Sequence, residues 1–379
     1  MGYSINYAKG NTSYPVLVEN DPDYVLISAV YHREKRTIGT LIFKLLDNHP
    51  SFSVFEKFKG VVHLDFNGVR LFDARIYNVK KDINNIKTVE CEGLLGFLND
   101  SVIAPYTFNR NSRIFVNAQP SDNYSIRVRD YITDLLNEHN SQVAEEQRVF
   151  LTNNSDSSIL NTEISTEGSG YSTAWDELTT NVLNNYGGDV DLDLSQSDTK
   201  LKFFDAPSSN VAQEIRYGIN LKSIELSYND DFATAVYPVS EYVDDNKITH
   251  KINIGSVNGG NYFIINQTAA ASYGRINKVV NIKGATNPTD LYNLALAQLN
   301  EMSRMRVKTT LSAIDMSELD ASYMPIKTGQ LIRAVSEPND ISFTAEVTAF
   351  DADIIDPGKS MYTINGKASA FTQLLKSKL

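Results

Sequence analysis

The stretch QEIRYGINLKSIELSYNDDFATAVYP, Gln213–Pro238, decides the fold class. NLKSIELSYNDDFATAVYPVS reads as two strands, with Asn229-Asp230-Asp231 as the turn between them. Just before it, SSNVAQEIRYG reads as a short helix with Ser208 or Ser209 as its cap. SYGRINKVV (Ser272–Val280) reads as a further strand, and IIDPGKSMYTINGK (Ile354–Lys367) as strand and turn around Asn365-Gly366. None of these stretches is a catalytic motif. Each reads as part of a β-rich scaffold.

The flanking sequence extends this pattern. In GTLIFKLL, Leu41, Phe43 and Leu45 fall on one strand face. Asn67-Gly68 separates two apolar-rich runs and supplies both left-handed residues of a type I′ hairpin. KTVECEGLLGFLND reads as a strand running into an apolar segment. In DISFTAEVTAFDADI, Ile341, Phe343, Ala345, Val347 and Ala349 are expected on one face. HKINIGSVNGGNYFIINQ alternates at Ile252 and Ile254 and then turns at Gly259-Gly260.

Helical signals are fewer. Val128, Ile132, Leu135 and Leu136 share one helical face. Thr173 and Asp176 form a capping-box pattern ahead of Trp175, Leu178 and Val182, with Gly187-Gly188 as the stop. Trp175 is then a core anchor rather than a ligand platform. TNPTDLYNLALAQLNEMSRM reads as a helix capped by Asn287, with Pro288 at its first position and Leu291, Leu294, Ala295 and Met302 as its apolar stripe. LTNNSDSSILNTEISTEGSG reads as a polar linker. DVDLDLSQSDTKLKFFD reads as a hairpin whose Asp189, Asp191 and Asp193 face solvent. It lacks the glycine and distal glutamate of a calcium loop.

The composition argues against several functions. A net charge of −11 disfavours a dedicated nucleic-acid binder. It suits a passage through which DNA moves without sticking, and it suits plain solubility. The single cysteine, Cys91, rules out a disulfide framework or a multi-thiolate metal site and reads as a small buried apolar residue. There is no long uncharged apolar run, and the first residues lack the pattern of a signal peptide. Abundant Tyr and Phe beside a single Trp favour sheets and protein interfaces over saccharide platforms.

No chemistry emerges from spacing. His32, His49, His63, His139 and His250 show no metal-ligand or zincin pattern. There is no GxSxG elbow and no phosphate-binding glycine loop. Glu145-Glu146 and Asp230-Asp231 read as solvated or turn residues. No catalytic, cofactor-binding or metal residue is assigned and no cofactor is expected. The expectation is a non-enzyme.

The order of patterns along the chain resembles the tail hub family of long-tailed bacteriophages and prophages. That family includes prophage tail endopeptidases and tail-associated lysins, and it is similar to the central hub of contractile-tail baseplates. The patterns are FKLLDNHP (Phe43–Pro50), FKGVVHLDFNG (Phe58–Gly68), V-x-CEG-L-x-x-L-x-D (Val89–Asp100) and W-x-x-L…GG (Trp175–Gly188). They continue with I-x-Y-G-x-N-L (Ile215–Leu221), T-x-V-x-P (Thr234–Pro238), YG-x-I (Tyr273–Ile276) and L-x-x-x-A-x-x-x-L (Leu291–Leu299). G-x-L-I (Gly329–Ile332) and DP-G…T-I-N-G (Asp356–Gly366) complete the set.

The resemblance implies an α+β, mainly β chain with two tail-tube-like antiparallel β-barrels and mixed α/β insertions. The expected segments are 1–98 (first barrel), 99–205 (mixed α/β), 206–240 with 307–366 (second barrel), 241–306 (β/α insertion) and 367–379 (tail). It implies a homotrimer that closes the tail tube in the virion baseplate and is made in the host cytoplasm. Implied partners are the hexameric distal tail protein, the tape-measure protein and other baseplate or receptor-binding proteins. Genomic DNA would pass through without being bound, and no membrane anchor is implied. Many relatives continue into a peptidoglycan-cleaving domain, whereas this chain stops at FTQLLKSKL. The expectation is a short or truncated hub without lytic activity. A peptidoglycan hydrolase and a receptor-binding protein for host saccharide are the alternatives.

Overall fold

The computed structural model describes residues 2–106, 126–153, 155, 157–164, 170–194, 198–205, 211–228, 231–243, 249–282, 285, 287–303, 307–320, 322–339 and 341–366. The chain is mainly β and divides into two compact units. One comprises Met1–Ile224 with Thr310–Ile364, the other Glu225–Thr309 with Asn365–Leu379.

The first unit begins with seven strands: β1 (Tyr3–Lys9), β2 (Thr12–Leu17), β3 (Ser28–Glu34), β4 (Thr40–Leu45), β5 (Val61–Phe66), β6 (Val69–Lys81) and β7 (Lys87–Gly93). Their alternation is legible: Leu41, Phe43 and Leu45 are all fully buried. β5 and β6 close on Asn67 (φ 50°) and Gly68 (φ 76°), the two left-handed positions a type I′ turn demands. Cys91 is buried in β7, and burial pushes its thiol up.

The middle of this unit packs around α1 (Val128–Gln142), which buries Val128, Ile132, Leu135 and Leu136 as its periodicity requires. α2 (Ala174–Glu177) starts on the full Thr173–Asp176 capping box and continues through a π-helical stretch, Leu178–Leu183. Trp175 is half-buried against the same cluster. Gly187 and Gly188 end the helical run at φ 93° and 79°. The supposed linker is not one throughout, because Leu160 and Ile164 enter the core and Thr152, Ser155 and Ser157 are buried.

β8 (Asp189–Leu192) and β9 (Lys200–Phe204) form the expected hairpin, but its acidic face is not solvated. Asp189 and Asp193 are buried and only Asp191 is exposed. The reason is local. Asp189 accepts from the Arg36 and Val190 amides at 2.7 and 2.9 Å, and Asp193 accepts from Thr152 Oγ1 at 2.8 Å. Carboxylates engaged in this way can leave water.

β10 (Val211–Arg216) replaces the expected helix, and Ser208 and Ser209 lie outside the described residues. It runs parallel to β17 (Leu331–Ser336) and buries the alternate residues Gln213 and Ile215. A tertiary ladder outweighs weak helix propensity here. β11 (Leu221–Tyr228) and β12 (Ala235–Val243) are the two expected strands, but they enter different sheets. Asn229 and Asp230 of the expected turn lie outside the described residues.

Together with β16 (Val307–Ala313), β18 (Ile341–Asp353) and β19 (Met361–Gly366), strands β1–β7, β10, β11 and β17 make one 13-stranded sheet. Its order is β11-β16-β19-β18-β3-β4-β7-β6-β5-β1-β2, with β17 also on β18 and β10 on β17. β18 pairs with β17 over Ile341–Glu346 and then with β3 over Ala349–Asp353. The buried set changes phase where the partner changes. Phe343, Ala345 and Val347 are buried, then Phe350 and Ala352, so Ala349 leaves the expected face. Asn365-Gly366 continues β19 instead of turning.

The second unit holds β12, β13 (Thr249–Ile252), β14 (Ile264–Ile265) and β15 (Asn277–Asn281), with α3 (Gln267–Tyr273) and α4 (Pro288–Met302). α4 has the expected Asn287 cap, but Leu294 is 48% exposed. Leu291, Ala295 and Leu299 form the buried stripe. Part of the strand expected around Tyr273 is the end of α3, capped by Asn266 and followed by Gly274.

His32 and Asp351 sit directly opposite across the β3–β18 ladder, with Nδ1 and Oδ1 2.7 Å apart. The Asp351 hydrogen bond holds the imidazolium above its ordinary range. A raised histidine adds stability that is complete below the unfolded value and is lost as pH rises through the folded one. Asp351→Asn will therefore lower the His32 titration midpoint seen by NMR. It will cost up to about 1 kcal/mol at pH 5.5 and less at pH 9.

Candidate functional site

A concavity of about 570 Å³ lies in the first unit. That is within the usual range for small-molecule sites. Its walls come from sequence-distant strands. β1 supplies Tyr3, β3 supplies Tyr31 and Arg33, and β5–β6 supply Phe66 and Arg70. β8–β9 supply Asp191, Lys202 and Phe204, and β18–β19 supply Phe350 and Tyr362. The floor is formed by Asp315, Ser317 and Glu318 with Pro325, Ile326, Lys327 and Thr328.

That floor is folded by Asp315. Its Oδ1 accepts from the Ser317 amide at 2.9 Å and from Gln213 Nε2 at 2.5 Å, and its Oδ2 accepts from the Ile326 amide at 2.7 Å. Gln213 in turn accepts from the Met316 amide at 3.0 Å. Glu318 stands beside this knot. Tyr3 Oη donates to Glu318 Oε1 at 2.6 Å, while Glu318 Oε2 is buried with no hydrogen-bond partner. Burial, with Asp315 adding repulsion, pushes the Glu318 carboxyl up to about 7 against the pull of the Tyr3 bond. Burial and Glu318 together raise Tyr3 as well.

The cations of the cavity wall are mostly committed. Arg70 is held by Asp65 and Asp73 at 2.5 and 2.6 Å. Arg33 is buried, donates to the Thr37 and Val190 carbonyls, and lies 3.9 Å from both Asp189 and Asp191. It latches β3 to β8.

The structure does not bring the five histidines together. His49 is buried, with Nε2 on the Val16 carbonyl, and His139 lies between Ser101 Oγ and the Gln147 carbonyl. His32 faces Asp351, and His63 faces Asp73 at 2.6 Å. His250 is in β13. Among the described residues no group of three His, Cys, Asp or Glu side chains is placed to hold a metal ion. Glu145 and Glu146 are exposed in a short 3-10 turn. A second polar cluster went unseen in the sequence. Buried Glu177 accepts from Tyr106, Tyr131 and Asn181 at 2.6, 3.0 and 2.6 Å, just where the π-helical stretch begins. Glu177 and Asn181 are one helical turn apart, but the two tyrosines lie 46 and 71 positions from Glu177 and Tyr3 lies 315 from Glu318, so neither group has a spacing signal.

A carboxyl raised on folding binds its proton more tightly in the folded chain. Stability therefore falls as pH rises from the unfolded value to about 7. Glu318→Gln keeps an acceptor for Tyr3 and removes that cost. It will stabilise the protein at pH 8 by about 1–2 kcal/mol, discounted for partial exposure, and will change nothing at pH 4 in urea denaturation.

Residues 208–375 match the family model described as prophage endopeptidase tail. No curated protein matches. Three solved structures are similar over nearly the full length. A tail protein from Neisseria meningitidis has a TM-score of 0.56 at 12% identity, covering 96% of this chain and 96% of that one. Prophage tail protein gp18 from Listeria monocytogenes scores 0.51 at 14% identity, covering 98% of each. The 43 kDa tail protein of prophage MuSo2 from Shewanella oneidensis scores 0.52 at 9% identity, covering 97% of this chain and 99% of that one. The resemblance read from the sequence holds: residues 208–375 match the prophage tail family model, and the fold is similar to that of these tail proteins over nearly all of the chain.

Proposed function

We propose that the chain is a structural baseplate hub at the distal end of a phage tail. In this reading three copies form a ring that closes the tail tube. The ring seats against the hexameric distal tail protein, meets the end of the tape-measure protein and opens for DNA during infection. It would be made in the host cytoplasm and incorporated into the virion.

The observation that carries this reading is the 13-stranded sheet, in which strands of 1–98 and of 206–240 with 307–366 are continuous through β3 and β18. One subunit thus presents two strand sets, which we read as two barrel-like units. Three such subunits present six, which is the count needed to meet a sixfold ring while starting a threefold tip. The acidic balance suits a lumen that DNA crosses without adhering. Residues 99–205 and 241–306 are read as insertions on this frame.

A peptidase reading has one point in its favour, the word endopeptidase in the matched family's description. Cys91 offers no nucleophile, being fully buried with its thiol pushed up. In the hub reading the chain is non-enzymatic. Light scattering after size exclusion will give three times the chain mass. A strict monomer at high protein concentration, or peptidoglycan cleavage lost on His32→Ala or His63→Ala, would overturn it.

A further inference from the structure

We propose that the cavity between β1, β19 and the Asp315–Glu318 turn is a binding site for an alkylammonium group. Two carboxyl groups line it without an ion-pair partner among the described residues. Glu318 has one oxygen bonded to Tyr3 and the other buried and unmatched. Asp315 is bonded only to amides. A buried acceptor without a donor costs free energy, and an incoming N–H donor relieves that cost.

The surrounding surface fits the stem and the charge of such a ligand. Tyr3 packs on Phe66 with ring centroids 4.7 Å apart, and Tyr31 packs on Phe350 at 5.3 Å. Phe350 also contacts Tyr362 at 6.3 Å. Aromatic faces beside carboxylates attract organic cations by both the ring quadrupole and direct charge. An anionic ligand would meet Glu318 and Asp315 at the floor. Of the four wall cations, Arg33 and Arg70 already have carboxylate neighbours, and Lys202 and Lys327 also line the cavity.

The charged and titratable groups facing Glu318 are Tyr3 on β1, Asp315 on its own turn and Tyr362 on β19. Arg33, Arg70, Asp191, Asp193, Lys202 and Lys327 also line the cavity. Burial pushes the Glu318 carboxyl up to about 7, so ligand affinity should rise as pH increases through that value.

Calorimetric titration of the full chain with butylammonium, with Nα-acetyl-lysine amide and with butanol tests this. Saturable binding of both amines and none of butanol is expected at pH 8. Glu318→Gln should weaken it roughly tenfold, the scale of one charge-assisted hydrogen bond. Lowering the pH to 5.5 should weaken wild-type binding comparably, which keeps the test valid if the variant misfolds. Tighter binding of the lysine derivative assigns the site to a protein side chain, and equal binding assigns it to free amines. No saturable heat from either amine, or equal binding of butanol, would overturn the proposal.

Discussion

The ladder between Val30–Glu34 and Ala349–Asp353 is the constraint on which the rest depends. It fixes two strands more than 300 residues apart in sequence and makes one sheet of two separate strand sets. Closing so long a loop costs entropy that local contacts do not return. The return comes from burial along the seam: Tyr31 is buried against Phe72 and Phe350, and Ala352 lies opposite it. The phase change in β18 follows from the same constraint. A strand that serves two partners in succession along one edge presents its inward residues to two surfaces, and one alternation cannot serve both.

Much of the local structure was legible because it is written in nearest neighbours. Asn67-Gly68, the Thr173–Asp176 box, the Asn287 cap and the Leu41–Leu45 alternation each need only a few residues to be read. What failed was decided by distant partners. Val211–Arg216 became a strand because Leu331–Val335 was there to pair with it. Asp189 was buried because Arg33 and the Arg36 amide meet it across more than 150 residues. Leu294 was misplaced by a smaller error, since Leu299 extends the stripe through Leu291 and Ala295. The cavity was invisible for the same reason as the ladder, because its walls come together only when the sheet forms.

Buried charge on this chain is concentrated at joints. Arg33 and Asp189 join β3 to β8, and Arg75 joins β6 to β7 and the segment after it through Glu92 and Asp100. Such pairs add little net stability but penalise wrong registers strongly, since a misplaced partner leaves a buried charge alone. That property suits an assembly part whose strands must present fixed edges. Both the Arg33–Asp189 and the Tyr3–Glu318 pairs leave a buried carboxylate oxygen unmatched, and the Tyr3–Glu318 pair lies on the wall of a cavity of about 570 Å³.

The central claim is that two strand sets in one subunit serve a threefold ring. Electron cryomicroscopy of the purified chain tests it most directly. The account predicts particles with threefold symmetry around a central opening, with six similar β units lining it. Single subunits at every concentration, or a closed assembly of another symmetry without an axial opening, would contradict it.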